Sequence, residues 1–173
     1  MGLRLSSAPE STGPTLAGEL LWLYDTVHEK DFWIQPLAQL LRRVSAEEAA
    51  WQPAPGVASI WEITLHVGSW SDYTRRWLDG EPRGDVVDWP LPASQDRAAW
   101  KRTRDQVLEA VRAVRRQMES LSPEQVLEMP KRKRTVRMRA LSNLLAHNAY
   151  HAGQIAKLRA LYRCAREAPG ESA

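Results

Sequence analysis

The chain has 173 residues, 43% of them apolar and 26% charged, and 24 Lys and Arg against 21 Asp and Glu leave a formal charge of +3. These proportions exclude a disordered or fibrous chain, point to one globular domain, and leave no strong overall pull toward nucleic acid or an anionic membrane. A single cysteine, Cys164, excludes an internal disulfide framework and any thiolate-rich zinc or iron–sulfur site, so a metal ion here has to sit on histidine or carboxylate.

Residues 1–13 are rich in Ser, Pro and Gly without periodicity, and residues 166–173 are small and polar; both read as flexible tails around a single domain over 14–165. The N-terminus lacks an apolar signal region, and no run approaches the roughly 18–20 apolar residues of a membrane span, so a cytoplasmic protein with no membrane partner is expected. From Pro14 onward, Leu16, Leu20, Leu23, Val27, Ile34 and Leu41 recur at helical spacing. Pro36 lies inside this first helix and should kink or split it near Trp33. Ser45 and Glu48 have capping-box spacing, but Pro53, Pro55 and Gly56 leave room for only a short turn. Ser59 and Glu62 repeat that spacing, and Ile63, Val67, Trp70 and Trp77 then share one face of a second helix over about 60–79.

Three prolines and two glycines within 80–93 make a long connection, with Trp89 in it as a candidate lid or plug. Trp100, Thr103, Val107, Val111, Val114 and Met118 mark a third helix ending near Ser120, and Ser122-Pro123 opens a short helical turn. From about Met138, the positions Leu141, Leu144, Ile155, Leu158 and Tyr162 mark a fourth helix. Four long helices without strand alternation predict an all-α four-helix bundle.

His147 and His151 are four residues apart in the fourth helix, a rotation of about 40° that stacks both imidazoles on one side. Leu144 before them and Ile155 and Leu158 after them turn that side inward. His66, three residues after Ile63 and four before Trp70, also faces the interior. Burial of three imidazoles costs about 1–3 kcal/mol for each unsatisfied group. One shared metal ion satisfies all three; hydrogen bonds to Ser, Asn, Trp or backbone carbonyls are the other solution, and spacing alone leaves both open. His28 is turned about 100° from the stripe of the first helix and falls outside the ligand set.

The segments Trp51-Gln-Pro-Ala-Pro-Gly56, Ser59-Ile-Trp-Glu-Ile-Thr-Leu-His66 and Leu144-Leu-Ala-His-Asn-Ala-Tyr-His-Ala-Gly-Gln-Ile155 together resemble the DinB-like superfamily, also called the YfiT-like metal-dependent hydrolases. The likeness runs from residue 15 to 163 and is most specific at His147-x3-His151-Ala-Gly-Gln-Ile155. It implies that His66, His147 and His151 hold a divalent metal ion, zinc or nickel foremost, between the second and fourth helices. It further implies up-down-down-up topology and a homodimer. Three neutral imidazoles leave such an ion its full charge and at least one open position, where the pKa of a bound water or thiol falls. Two activities on a small-molecule substrate follow, hydrolase-like with water or S-transferase-like with a low-molecular-weight thiol as co-substrate. Thiol-dependent S-transferases among the relatives tip the expectation toward the thiol.

Glu62, one turn before His66, is the candidate catalytic residue, as general base or as acceptor for a ligand histidine; the capping box is its simpler role. Trp33, Trp61 and Trp70 are candidate walls of a substrate pocket, with plain core packing as the more ordinary role, and Gln154 either orients a ligand or bridges helices. Tyr150 is rotated toward a packing or dimer role, and Asn148 flanks the histidine pair. Cys164 is three turns beyond His151, too far to serve the ion. Lys131, Arg132, Lys133, Arg134, Arg137 and Arg139 can grip phosphates, but no helix-turn-helix or interleaved aromatic accompanies them, so a solvated loop face is preferred over a nucleic-acid site. A metal-binding or structural dimer without catalysis is the other alternative.

Overall fold

Helix starts follow the capping residues. The computed structural model describes residues 14–81 and 84–167; the tail expected over 1–13 and residues 168–173 lie outside the described residues. Among the described residues there is no strand, and the helices are α1 (Leu16–His28), α2 (Leu37–Leu41), α3 (Ala46–Ala50), α4 (Ile60–Leu78), α5 (Arg97–Glu119), α6 (Pro123–Leu127) and α7 (Arg137–Glu167). Thr15, Ser45, Ser59, Asp96 and Ser122 each accept a backbone N–H three residues on, which satisfies a donor the helix itself cannot. At Ser59–Glu62 and Ser122–Gln125 the bonding is reciprocal. Arg166 and Glu167, expected in the C-terminal tail, are the last residues of α7.

The first helix departs from expectation. Apolar spacing runs on to Leu41, yet α1 stops at His28, well before the break expected near Trp33. The Asp25 carbonyl accepts both the Glu29 N–H at 2.8 Å and the Lys30 N–H at 2.7 Å, which closes the helix end. Pro36 then holds extended backbone, and α2 starts directly after it.

The long helices α1, α4, α5 and α7 enclose the core: α4 lies along α5 and α7, and α1 packs on the same two. α4 and α5 approach so closely at Gly68 that a Cβ there would stand 2.6 Å from Val107 Cγ2. Trp61 and Trp100 meet edge to face at 5.2 Å in the core, and each buried indole N–H finds an acceptor, Thr103 Oγ1 at 3.0 Å and the Val44 carbonyl at 2.7 Å. No described helix is long and apolar enough to cross a membrane.

α1 is pinned to α5 by charge. The buried Asp25 carboxylate accepts Arg115 Nε at 2.6 Å and Arg115 Nη2 at 3.1 Å, and Lys30 Nζ lies 2.8 Å away. Burial alone would raise the Asp25 pKa, but the hydrogen bonds and charges of Arg115 and Lys30 outweigh it and hold the carboxyl below its ordinary value. Arg115→Met keeps the stem and strips the bidentate partner from a buried anion; it should cost about 3 kcal/mol in urea unfolding at neutral pH. Because the folded pKa lies below the unfolded one, this stabilisation is present above the unfolded value and is lost as pH falls through the folded one. The deficit of the variant should therefore shrink in acid.

Candidate metal centre

α4 delivers His66 and α7 delivers His147 and His151 to one point between the two helices. One ring nitrogen from each lies within 4.8 Å of the others. His66 Nε2 and His147 Nε2 are 2.8 Å apart, and the rings of His147 and His151 are 4.4 Å apart at 72°. His66 and His151 are buried, whereas His147 is half-buried and lines a cleft.

The tautomers follow from the outward partners. His66 Nδ1 is 2.6 Å from the Asp88 carbonyl oxygen, which can only accept, so Nδ1 carries the proton. His151 Nδ1 meets Gln154 Oε1 at 2.7 Å, and Gln154 Nε2 donates to the Tyr150 hydroxyl at 3.0 Å. The case of His147 is decided two residues away. His28 Nδ1 faces the Tyr24 carbonyl at 2.7 Å and must donate to it. Burial drives the His28 pKa down to about 4, although the Tyr24 carbonyl works against that, so His28 is neutral and its Nε2 accepts. The Asn148 amide therefore presents Nδ2–H to His28 Nε2 at 2.9 Å and Oδ1 to His147 Nδ1 at 2.9 Å. His147, like the other two, is protonated on Nδ1.

Each Nε2 consequently turns a lone pair toward the shared point. Two such lone pairs 2.8 Å apart repel each other unless a cation lies between them. A tetrahedral ion with Zn–N distances of about 2.0–2.1 Å asks for nitrogens about 3.3 Å apart, within the spread these rings occupy. Three neutral imidazoles braced from outside are the donor set a divalent zinc or nickel ion takes. The residues fit the ion.

A sequence profile of the DinB superfamily matches residues 33–155. The chain belongs to the DinB superfamily. No curated protein and no solved structure matches it at a significant level. The DinB stretch contains all three histidines of the cluster but ends short of α1, so His28 braces His147 from outside the matched segment.

Of the other sequence-predicted site residues in this DinB protein, Gln154 and Trp70 reach the cluster. Gln154 fixes His151, as above. Trp70 lies 6.3 Å from the His147 ring, and its Nε1 donates to Asp88 Oδ1 at 2.7 Å. Trp89, the candidate lid, stacks on His66 with centroids 4.0 Å apart and planes within 10°. Trp61 is in the core against Trp100, and Trp33 stands 87% exposed with Phe32 as its aromatic neighbour. Glu62 caps α4: its Oε2 accepts from the Ser59 N–H and hydroxyl, both at 2.7 Å, and from Gln52 Nε2 at 3.1 Å. Burial pushes the Glu62 pKa up, but those three donors prevail and keep it below its ordinary value.

Asp88, Asn148 and His28 are braces that sequence reasoning passed over. The 100° offset put His28 off the stripe of α1, but α5 and α7 both pack on that helix and its last turn is enclosed, leaving His28 1% exposed. Asn148, wholly buried beside an inward histidine, carried the one available signal, since a buried amide must find partners on both its atoms.

Burial, partly offset by the Gln154 bond, lowers the His151 pKa to about 4, and burial also lowers that of His147 against its bond to Asn148. His147 and His151 are thus held in the neutral form that metal binding requires. Asn148→Ala should weaken metal binding about 10–100-fold, read by competition with a chromophoric chelator, because His147 loses the acceptor that selects its tautomer. In chelator-treated protein, stability should fall as pH drops from 6.5 toward about 4, where the unfolded chain takes up protons that folded His28 and His151 refuse. A flat urea-midpoint profile across that window would contradict the assignment.

Proposed function

We propose that this protein is a metal-dependent enzyme acting on a small molecule, S-transferase-like with a low-molecular-weight thiol as co-substrate, or hydrolase-like with water. The supporting observation is the convergence of three imidazole nitrogens whose Nδ1 protons are all committed outward. A divalent ion bound there supplies a Lewis acid that lowers the pKa of a thiol or water and polarises an electrophile. The chain's own groups do the positioning. Neutral ligands leave the charge of the ion undiminished, and three of them leave a coordination position open to a reactant. The Asp88 carbonyl, Asn148 and Gln154 lock the rings before any ligand arrives, so little reorganisation is required on binding. Trp89 covers one face of His66 and keeps bulk water from it. A cleft of about 310 Å³ beside His147 gives a substrate access. The resemblance to thiol-dependent relatives favours the thiol over water, and the same resemblance supports a four-helix bundle of up-down-down-up topology with α1, α4, α5 and α7 as its long members.

Elemental analysis should find close to one divalent ion per chain, and His151→Ala should lose it. Chelation should lower the melting temperature, since a ligand present at about 1,000 times its Kd contributes about 4 kcal/mol. Turnover on panels of thiol plus electrophile, and of esters and amides, should fall by at least about 100-fold on chelation or in His66→Ala. Metal content unchanged in His151→Ala removes that residue from the site; bound metal without any turnover leaves a non-catalytic metal protein.

A further inference from the structure

The cleft beside His147 continues beyond the histidines. Trp70, Tyr73 and Trp77 follow one another along one face of α4 and form one wall; Ala140, Leu144 and His147 form the other, from α7. Ala140 is seven residues, or about 10 Å, along α7 from His147 and offers only a methyl group, which leaves width between the aromatic rings and α7. Tyr73 and Trp77 are also walls of a second cavity of about 420 Å³, whose opposite side is Arg132, Lys133 and Arg134. Tyr73 and Trp77 line both spaces, so the row of three aromatic side chains that begins beside the half-buried face of His147 ends next to a cluster of cations.

The cationic end is built onto the fold. The left-handed turn at Gly80, φ +78°, brings the end of α4 against Lys131. Lys133 Nζ donates to the Glu81 carbonyl and stands 5.9 Å from the Trp77 ring centroid. Among the described residues, Glu81 is the one carboxylate lining this cavity, against three cations. Arg132 adopts φ 62°, the only non-glycine residue described with a left-handed backbone, in a turn closed by the Lys133 N–H on the Pro130 carbonyl. Neither Arg132 nor Arg134 has an ion-pair or hydrogen-bond partner among the described residues. A freely solvated run accounts for unpaired arginines on a loop, but not for their lying against the same Tyr73 and Trp77 side chains that line the cleft beside His147.

We infer that the site takes a small molecule with a flat apolar body and an anionic group, a carboxylate, phosphate or sulfonate, at its far end. The body lies along Trp70, Tyr73 and Trp77, and the anion meets Arg132 and Arg134. The inference rests on the metal-centred reading for which end reacts, but the anion subsite itself needs no metal.

The test uses the full chain, stripped with chelator so that no acid can bind through a metal, and two probes of matched shape, 6-phenylhexanoate and 6-phenylhexan-1-ol. Binding is followed by the indole N–H signals in NMR titrations. The acid should bind at least about tenfold more tightly than the alcohol and shift the Trp77 signal, the gain expected of a charge-assisted contact. In the double variant Arg132→Gln and Arg134→Gln, affinity for the acid should fall to that for the alcohol, while alcohol affinity and metal uptake stay as in the parent. Equal affinities in the parent, an acid preference that survives in the double variant, or binding that leaves Trp77 unmoved would each overturn the subsite. Acid preference in a protein that takes up no metal would uphold the subsite and overturn the metal reading; metal uptake without acid preference would do the reverse.

Discussion

An imidazole has one proton to place when neutral, and in His66, His147 and His151 that proton is directed away from the common centre. The inward nitrogens are then all lone pairs, and the space they share suits positive charge. The outward partners differ in origin: the Asp88 carbonyl comes from the connection after α4, whereas Gln154 and Asn148 are on α7 itself, Asn148 being backed by His28 from α1. The fold brings these braces to the two ligand-bearing helices, and the close α4–α5 contact at Gly68 fixes one of those helices against the core.

Features with a local signature were legible in the sequence. The four-residue spacing of His147 and His151, the apolar neighbours of His66, and the serine caps at residues 45, 59 and 122 all appear where periodicity and capping place them. What could not be read is non-local or lies in the backbone. A carbonyl such as that of Asp88 has no side-chain signature, and the bond between Asn148 and His28 spans 120 residues. The end of α1 was misplaced for a related reason: hydrophobic spacing continues through Ile34, but the Asp25 carbonyl closes the helix first.

The tryptophans, conspicuous in number, divide by surroundings. Trp61 and Trp100 hold the core together, with their N–H groups satisfied inside. Trp70, Trp77 and Trp89 gather around the histidines and the cleft that leads from them. Helical position alone does not separate these groups: Trp61 and Trp70 occupy the same helix, and only the course of the 80–93 connection, which brings Asp88 and Trp89 over α4, makes one structural and the other part of the site.

The bracing of His147 from α1 ties two events that are usually independent. Asp25, which anchors that helix through Arg115, and His28, which orients Asn148, sit on the same final turn. A chain whose first helix has come away leaves the Asn148 amide free to reverse and His147 free to carry its proton on either nitrogen. The cage is then misassembled at its most accessible corner even though every ligand remains in place. Competence to capture an ion at these histidines would thus depend on the seating of a segment that supplies none of the three imidazoles.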